Sequence, residues 1–116
     1  MMKLAIVGAR NPPISYQEFI IQLEQTAIDR VDTIVSGGAV GIDSYAKQYA
    51  EENNLRLIEY LPIYSMHGRK APIVRNSLIV KEADAIVAFP TMDSKGTHDT
   101  IRKMRKAGKQ VIVIQL

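Results

Sequence analysis

The chain lacks cysteine and tryptophan, and it has few aromatic residues and few histidines. Without cysteine, disulfides, thiolate zinc sites and cysteine nucleophiles are excluded. His67 and His98 are too few for a histidine-rich metal site, so we expect both to be solvated and the protein to hold neither metal nor cofactor. No apolar run approaches the roughly 20 residues that cross a membrane, and the first apolar stretch is too short for a signal peptide. These absences predict a cytoplasmic protein with no membrane partner.

The length of the chain and the rest of its composition predict one globular domain over residues 1–116. Hydrophobic residues make up 47% of the chain, which is enough for a core, and charged residues make up 23%. The net charge of +3 permits a nucleic-acid partner without requiring one.

Short apolar runs alternate along the chain with segments of helical periodicity. The runs predict strands at 3–7, 33–35, 56–60, 85–89 and 111–114. The periodic segments predict helices from the N-cap Ser15 to about 29, from 42 to 53–54, from Pro72 to about 81, and from the N-cap Thr97 to Gly108. Residues 61–70 and 90–96 are predicted loops.

This alternation predicts an α/β fold, a doubly wound parallel sheet of five strands in the order 3-2-1-4-5 with helices on both faces. The winding reverses beside strand one, which opens a crevice at the carboxyl ends of strands one and four. Three loops meet there, at residues 8–11, 36–43 and 89–97. Because most unusual residues of the chain lie in these loops, we expect a ligand site in the crevice.

The loop from Ser36 to Asp43 is the most distinctive of the three. Gly37, Gly38 and Gly41 allow a tight strand-to-helix turn with exposed N–H groups, and the following helix directs its positive end at the turn. This combination is typical of an anion site, usually for phosphate, although such glycines can also serve the turn alone. The spacing matches neither the Walker loop nor the dinucleotide fingerprint.

The other two loops add further candidate ligand groups. Arg10 follows Gly8 at the end of strand one, where it either clamps a phosphate or is a solvated loop arginine. The last loop leads into a second helix N-terminus aimed at the crevice. The amide and hydroxyl groups expected there belong to Ser94, Gly96, Thr97 and Thr100.

Arg75 and Asn76 lie in an otherwise apolar predicted helix, so the guanidinium needs a partner. We expect that partner to be a ligand phosphate, and the alternative is a structural carboxylate such as Asp43 or Asp84. Asp43 itself is placed either to bond a ribose hydroxyl or to stabilise the helix dipole. If the protein has an activity, Arg75 is the candidate catalytic residue.

A basic run follows late on the last predicted helix. It consists of Arg102, Lys103, Arg105, Lys106 and Lys109. We interpret it as a solvated outer face whose cations complement the helix C-terminus, with a nucleic-acid groove as the alternative. The absence of interleaved aromatic residues argues against a platform that stacks single-stranded bases there.

Three motifs carry a family resemblance. The stretch Ser36–Ala46, SGGAVGIDSYA, is similar to the signature of the DNA-processing protein A (Smf) Rossmann domain. Arg75 and Asn76 resemble that family's Arg-Asn pair before the fourth strand. Residues 89–97 resemble the Gly-Thr loop of the lonely-guy phosphoribohydrolases, often described as lysine decarboxylase-like. These families share the SLOG superfamily, so the resemblance implies a three-layer Rossmann-like domain, a nucleotide-like ligand and a homo-oligomer.

The resemblance to the phosphoribohydrolases fails at two points. The loop reads Asp-Ser-Lys-Gly at residues 93–96, without the paired glycines of those enzymes. Their catalytic glutamate stands three residues after the Gly-Thr pair, where this chain has Thr100. The neighbouring Asp99 projects about 100° away on a helix and is not expected to substitute.

Our leading prediction is therefore a module that binds a nucleotide or nucleotide-derived phosphate, in a sensor or accessory role. One alternative is an enzyme that cleaves a nucleoside 5'-monophosphate to base and ribose 5-phosphate. A second alternative, which the resemblance to DNA-processing protein A implies, is single-stranded DNA binding.

Overall fold

The computed structural model describes residues 1–116 and contains one sheet of five parallel strands in the order β3-β2-β1-β4-β5. The strands are β1 (Met2–Gly8), β2 (Val31–Ser36), β3 (Arg56–Glu59), β4 (Ala85–Phe89) and β5 (Gln110–Val113). The helices are α1 (Tyr16–Gln25), α2 (Ile42–Glu52), α3 (Tyr64–His67), α4 (Ala71–Glu82) and α5 (Lys95–Lys106). The predicted doubly wound α/β fold and its strand order are confirmed.

The central strand β1 explains the layering. Its apolar run is buried on both faces, and successive side chains of a strand point to opposite faces. Leu4 and Ile6 pack in the core that α1 and α2 cover, whereas Ala5 and Val7 pack in the core that α4 and α5 cover. Fully burying a side chain such as Ile6 contributes about 1.5–3 kcal/mol. The sheet is therefore the middle of three layers.

Two predicted helix ends are wrong. The first helix ends at Gln25 rather than near residue 29, because Ala27 adopts a left-handed φ of 56° that stops helical bonding. The last helix begins at Lys95, so Thr97 is its third residue instead of its N-cap. Ser94 occupies the cap position, but its hydroxyl accepts from the N–H of Thr91, at 3.0 Å, and makes no cap bond.

The predicted loop at 61–70 is also wrong in part. It contains the short helix α3, followed by a 3₁₀ turn at Gly68–Lys70. Gly68, with φ of 57°, ends α3 and is the first residue of the 3₁₀ turn. Four residues are too few to show a helical period in the sequence, so the pattern gave no signal for α3. Across the whole chain, the helices are too short or too polar to cross a bilayer.

Candidate functional site

A cavity of about 460 Å³ opens at the carboxyl ends of the strands, and only 4 of its 18 lining residues are hydrophobic. Because β1 lies between β2 and β4, the loops after these three strands meet there. The structure brings ten of the thirteen predicted site residues to the lining. They are Gly8, Arg10, Gly37, Asp43, Arg75, Asn76, Ser94, Gly96, Thr97 and Thr100.

The other three predicted residues do not line the cavity, and they shape the turn behind it. The fully buried Ser36 accepts at Oγ from the N–H of Gly38, at 3.2 Å. Gly41 has φ of 81°, and a Cβ there would overlap the carbonyl oxygen of Ala9. That oxygen accepts from the N–H of Ile42 at 3.0 Å, which ties the start of α2 to the end of β1.

The N–H groups of the glycine-rich turn are only partly free. Gly38 donates to Ser36, and Ala39 donates to Asp43 Oδ2 at 3.1 Å. The N–H of Gly37, which lines the cavity, has no partner within the protein. The turn therefore offers fewer amides to a ligand than its glycines predict.

Asp43 bonds the turn that precedes it. The carboxylate is 7% exposed and lies in the first turn of α2. Burial raises its pKa to about 6, although the Ala39 N–H and the positive charge of Arg75 oppose the rise. A buried, readily protonated carboxyl thus lies in the wall of the cavity.

Arg75 is held by backbone carbonyls instead of a carboxylate. Its Nη1 donates to the carbonyl oxygen of Gly37 at 2.8 Å and lies 3.4 Å from that of Tyr60. Burial lowers the pKa of the guanidinium, and the charge of Asp43 counters that effect without a salt bridge forming. The other carboxylate considered from the sequence, Asp84, accepts from the N–H of Lys3 instead.

The remaining donors of Arg75 divide between the protein and the cavity. Nε donates to Asn76 Oδ1 at 2.9 Å. The two N–H groups on Nη2 have no protein partner, and the residue lines the cavity. A Cβ at Gly37 would overlap the guanidinium, so this glycine is needed for the close approach of Arg75.

Asn76 extends this contact to the opposite wall. The side chain is 4% exposed, and its Nδ2 donates to the carbonyl oxygen of Gly96 at 3.2 Å and to Asp99 Oδ2 at 3.1 Å. Burial raises the pKa of Asp99, but bonds from Asn76 and Lys103 outweigh it and the net shift is downward. We call Arg75 and Asn76 together the Arg–Asn bridge, since they join the glycine-rich turn to the start of α5.

The first turn of α5 presents free donors to the cavity. The N–H groups of Gly96 and Thr97 have no protein partner, and helix N-termini carry a positive partial charge. The Thr97 side chain is 8% exposed, and its hydroxyl makes no bond within the protein. Thr100, 1% exposed, donates instead to the carbonyl oxygen of Gly96 at 3.1 Å.

Arg10 is the most accessible cation of the site. It is exposed and forms neither a hydrogen bond nor a salt bridge. Its charge nevertheless lowers the pKa of both Asp43 and Arg75, so the three groups lie close together. A guanidinium without a partner beside a polar cavity favours an anionic ligand.

Sequence reasoning missed eight lining residues. They are Val7, Ala9, Asn11, Ala39, Ile79, Thr91, Asp93 and Lys95. Most lie in the three loops already expected to form the crevice, so loop position was the available signal. Ile79 reaches the cavity from α4, one turn after Arg75, where only helix packing could place it.

The histidines and the basic run also differ from expectation. His98 is half-buried, with Nε2 3.1 Å from the carbonyl oxygen of Thr91, so it is not simply solvated. Lys103 donates to the carbonyl of Ile73 at 3.0 Å, and Lys109 binds carbonyls at the end of α4. The exposed members of the run are Arg102, Arg105 and Lys106.

The sheet order, the glycine-rich turn and the crevice define a Rossmann-like domain of the SLOG type. The profile of the family described as DNA recombination-mediator protein A matches residues 1–63, more than half of the chain. The chain therefore belongs to this family. It is also 36% identical over 85 residues to the Gene 61 protein of Mycobacterium phage D29, a match covering 68% of each chain.

Two solved structures share the fold. DNA processing protein A from Helicobacter pylori, which binds single-stranded DNA, is 25% identical with a TM-score of 0.72, and DNA processing protein A (DprA) from Streptococcus pneumoniae is 22% identical with a TM-score of 0.69. Each alignment covers 97% of this chain, but only 64% and 50%, respectively, of those proteins. The chain thus spans less than two thirds of either structure.

Proposed function

We propose that the crevice binds a phosphate of single-stranded DNA. Family membership supports this proposal, as does the fold shared with the Helicobacter pylori protein, which binds such DNA. The sequence motifs alone favoured a free nucleotide, and both ligands present the same chemistry to the site, a phosphate joined to a sugar. The proposal concerns DNA binding by this Rossmann-like domain.

The observation that carries the proposal is the convergence of unpaired donors on one cavity. The Arg10 guanidinium, Arg75 Nη2, and the amides of Gly96 and Thr97 all lack protein partners at its lining. The Thr97 hydroxyl belongs to a residue that is 8% exposed, makes no bond within the protein and adds a donor at the same place. Hydrogen bonds to a charged acceptor contribute about 1.5–3 kcal/mol each, so three of them support useful affinity after binding costs.

A free nucleotide is the second candidate. The cavity volume of about 460 Å³ lies in the range of small-molecule sites. Cleavage of the nucleotide is not part of the proposal, because Thr100 has no acidic proton and its hydroxyl already donates to Gly96.

The test is fluorescence anisotropy with a labelled thymidine oligonucleotide, titrated at several salt concentrations. Each phosphate contact on a single strand contributes a slope of about −0.7 to log K against log salt. Arg10→Gln should weaken binding and flatten that slope by about 0.7. Arg30→Gln makes the same charge change at the amino end of β2, away from the crevice, and should change neither quantity.

Competition with thymidine and adenosine monophosphates separates the two candidates. Displacement by monophosphates at concentrations close to that of the oligonucleotide would favour a free nucleotide. Equal losses in Arg10→Gln and Arg30→Gln would show that binding reflects net charge and not this crevice, and would refute the proposal.

A further inference from the structure

The segment Leu61–Lys70, which we call the α3 rim, exposes an unusual set of large side chains. Leu61, Ile63, Tyr64 and Met66 are between 48% and 70% exposed. Single exposed apolar residues are normal, but four within six residues form a contiguous patch of the kind that marks an interaction surface. About half or more of the surface of each of these side chains is left uncovered by the folded chain.

The α3 rim borders the crevice without lining it. Leu61 touches the glycine-rich turn so closely that a Cβ on Gly38 would overlap its Cδ2. The carbonyl of Tyr60, which leads into the rim, lies 3.4 Å from Arg75 Nη1. The Tyr64 hydroxyl is near enough to Arg75 to influence the pKa of the guanidinium. A ligand that is bound at Arg75 and is longer than the cavity therefore lies over the α3 rim on this side.

The charge around the α3 rim indicates a polyanionic occupant. From Leu61 to Lys81 the sequence contains no aspartate or glutamate, whereas Arg69 and Lys70 are both exposed. The nearest carboxylate, that of the exposed Glu59, lies at the Gly38 end beside Leu61, away from Arg69 and Lys70 in the sequence. A rim that mixes apolar and aromatic side chains with cations matches the two parts of a single strand, stackable bases and charged phosphates. A duplex hides its base faces and would leave the apolar side chains uncovered.

We infer that the α3 rim contacts the bases of the strand whose phosphate the crevice holds, with Tyr64 as the stacking side chain. This inference rests on the proposed function and adds a reason for preferring single-stranded over duplex DNA. The phosphate and base contacts are made by different residues, so experiments can remove one and leave the other.

The first test compares a thymidine oligonucleotide with an abasic oligonucleotide of the same length. Tyr64→Ala should weaken binding of the thymidine strand by about tenfold and leave abasic binding unchanged. Tyr64→Phe keeps the ring and should retain affinity. Ile21→Ala removes a comparably exposed apolar side chain on α1 and serves as the control.

The outcomes distinguish this inference from the proposed function. If neither oligonucleotide binds the unmodified protein, the proposed function fails. If both bind and Tyr64→Ala leaves the ratio of the two affinities unchanged, the phosphate site stands and the base-contacting rim is refuted.

A second test uses fluorescence. The chain has no tryptophan, so Tyr64→Trp introduces a single reporter against a silent background. Stacking of a base should quench its emission with the thymidine strand and not with the abasic strand. Sedimentation of the free protein addresses another occupant, a second copy of the chain. A dimer that Tyr64→Ala dissociates, together with an unquenched Tyr64→Trp, would overturn the inference.

Discussion

Arg75 Nε donates to Asn76 Oδ1 at 2.9 Å, and from this shared bond the two side chains reach opposite walls of the crevice. Arg75 binds the carbonyl of Gly37, and Asn76 binds that of Gly96. The strand order brings the two turns to the same edge of the sheet, but it does not set their separation. The Arg–Asn bridge fixes that separation, so the free amides are oriented before a ligand arrives.

We predict that Asn76→Ala loosens both walls. The change removes the bonds to Gly96 and Asp99 and leaves the Arg75 Nε without its acceptor. The free energy of unfolding should fall by about 1–3 kcal/mol, measured by chemical denaturation. Oligonucleotide affinity should fall as well, because the crevice walls are no longer held together. The effect is indirect, since Asn76 Nδ2 is already bonded within the protein.

The matched control is Ser77→Ala on the same helix. Its hydroxyl is exposed and bonds only the carbonyl of Ile73 one turn back. The unfolding free energy should change by less than about 0.5 kcal/mol. If Asn76→Ala proved as mild as this control, the bridge would not hold the crevice.

The two glycines joined by the bridge should respond oppositely to alanine. A Cβ at Gly37 overlaps the Arg75 guanidinium, so Gly37→Ala should displace that side chain and weaken both stability and oligonucleotide binding. A Cβ at Gly96 meets nothing within 4 Å, and Gly96→Ala should stabilise α5 by about 0.5–1 kcal/mol. Thermal denaturation and anisotropy on both variants check the pair. Destabilisation by Gly96→Ala would contradict the open space at this position.

The fold could be predicted because its signals are local and strong. The alternation of apolar runs with helical segments predicted the winding of the sheet, and the winding placed the loops around one crevice. Seven of the ten predicted residues at the lining followed from loop position, whereas Arg75, Asn76 and Thr100 were predicted from helical segments. The binding role of these residues remains a proposal, since location at a crevice does not identify a ligand.

What could not be predicted depends on side-chain partners that are distant in sequence. The pattern showed that Arg75 needs a partner, but only the folded chain shows that carbonyls 38 and 15 residues away fill that need. Thr97 fits the usual pattern of an N-cap, but α5 already begins two residues earlier, at Lys95. The α3 rim was missed because one helical turn has no periodicity.

Asp43 should make stability depend on pH. Burial raises its pKa from the usual 3.8 to about 6, so the folded state binds a proton more tightly than the unfolded chain. The associated stability is complete below the unfolded value and is lost as pH rises through 6. Between pH 7 and pH 5 the unmodified protein should gain about 1 kcal/mol relative to Asp43→Asn, measured by urea denaturation at each pH.

Two other carboxylates with shifted pKa values act in a different pH window. Hydrogen bonds from Lys3 and Tyr60 lower the pKa of Glu82, and a hydrogen bond from Tyr16 lowers that of Glu52, so their contributions are lost only at more acidic pH. Protonating Asp43 also removes a negative charge from the cavity wall, so oligonucleotide affinity should rise as pH falls through 6. Parallel pH profiles for the unmodified protein and Asp43→Asn would contradict both expectations.

Lys109 can test whether the cations of the basic run are structural or form the nucleic-acid groove that was the alternative interpretation. Its Nζ donates to the carbonyls of Val80 at 2.6 Å and Ala83 at 2.7 Å, which satisfies and neutralises the C-terminus of α4. Lys109→Met should therefore lower the free energy of unfolding by about 1–3 kcal/mol, measured by chemical denaturation, and leave oligonucleotide affinity unchanged.

Lys106→Met removes the same charge from an exposed position on α5 and should change neither quantity. A groove along the basic run would require the reverse, with both variants binding the strand more weakly and Lys109→Met remaining stable. Two of the five cations, Lys103 and Lys109, are held by backbone carbonyls at α4 and its end, which leaves Arg102, Arg105 and Lys106 as the exposed members of the run. The crevice, with its unpaired donors, is where phosphate affinity should concentrate.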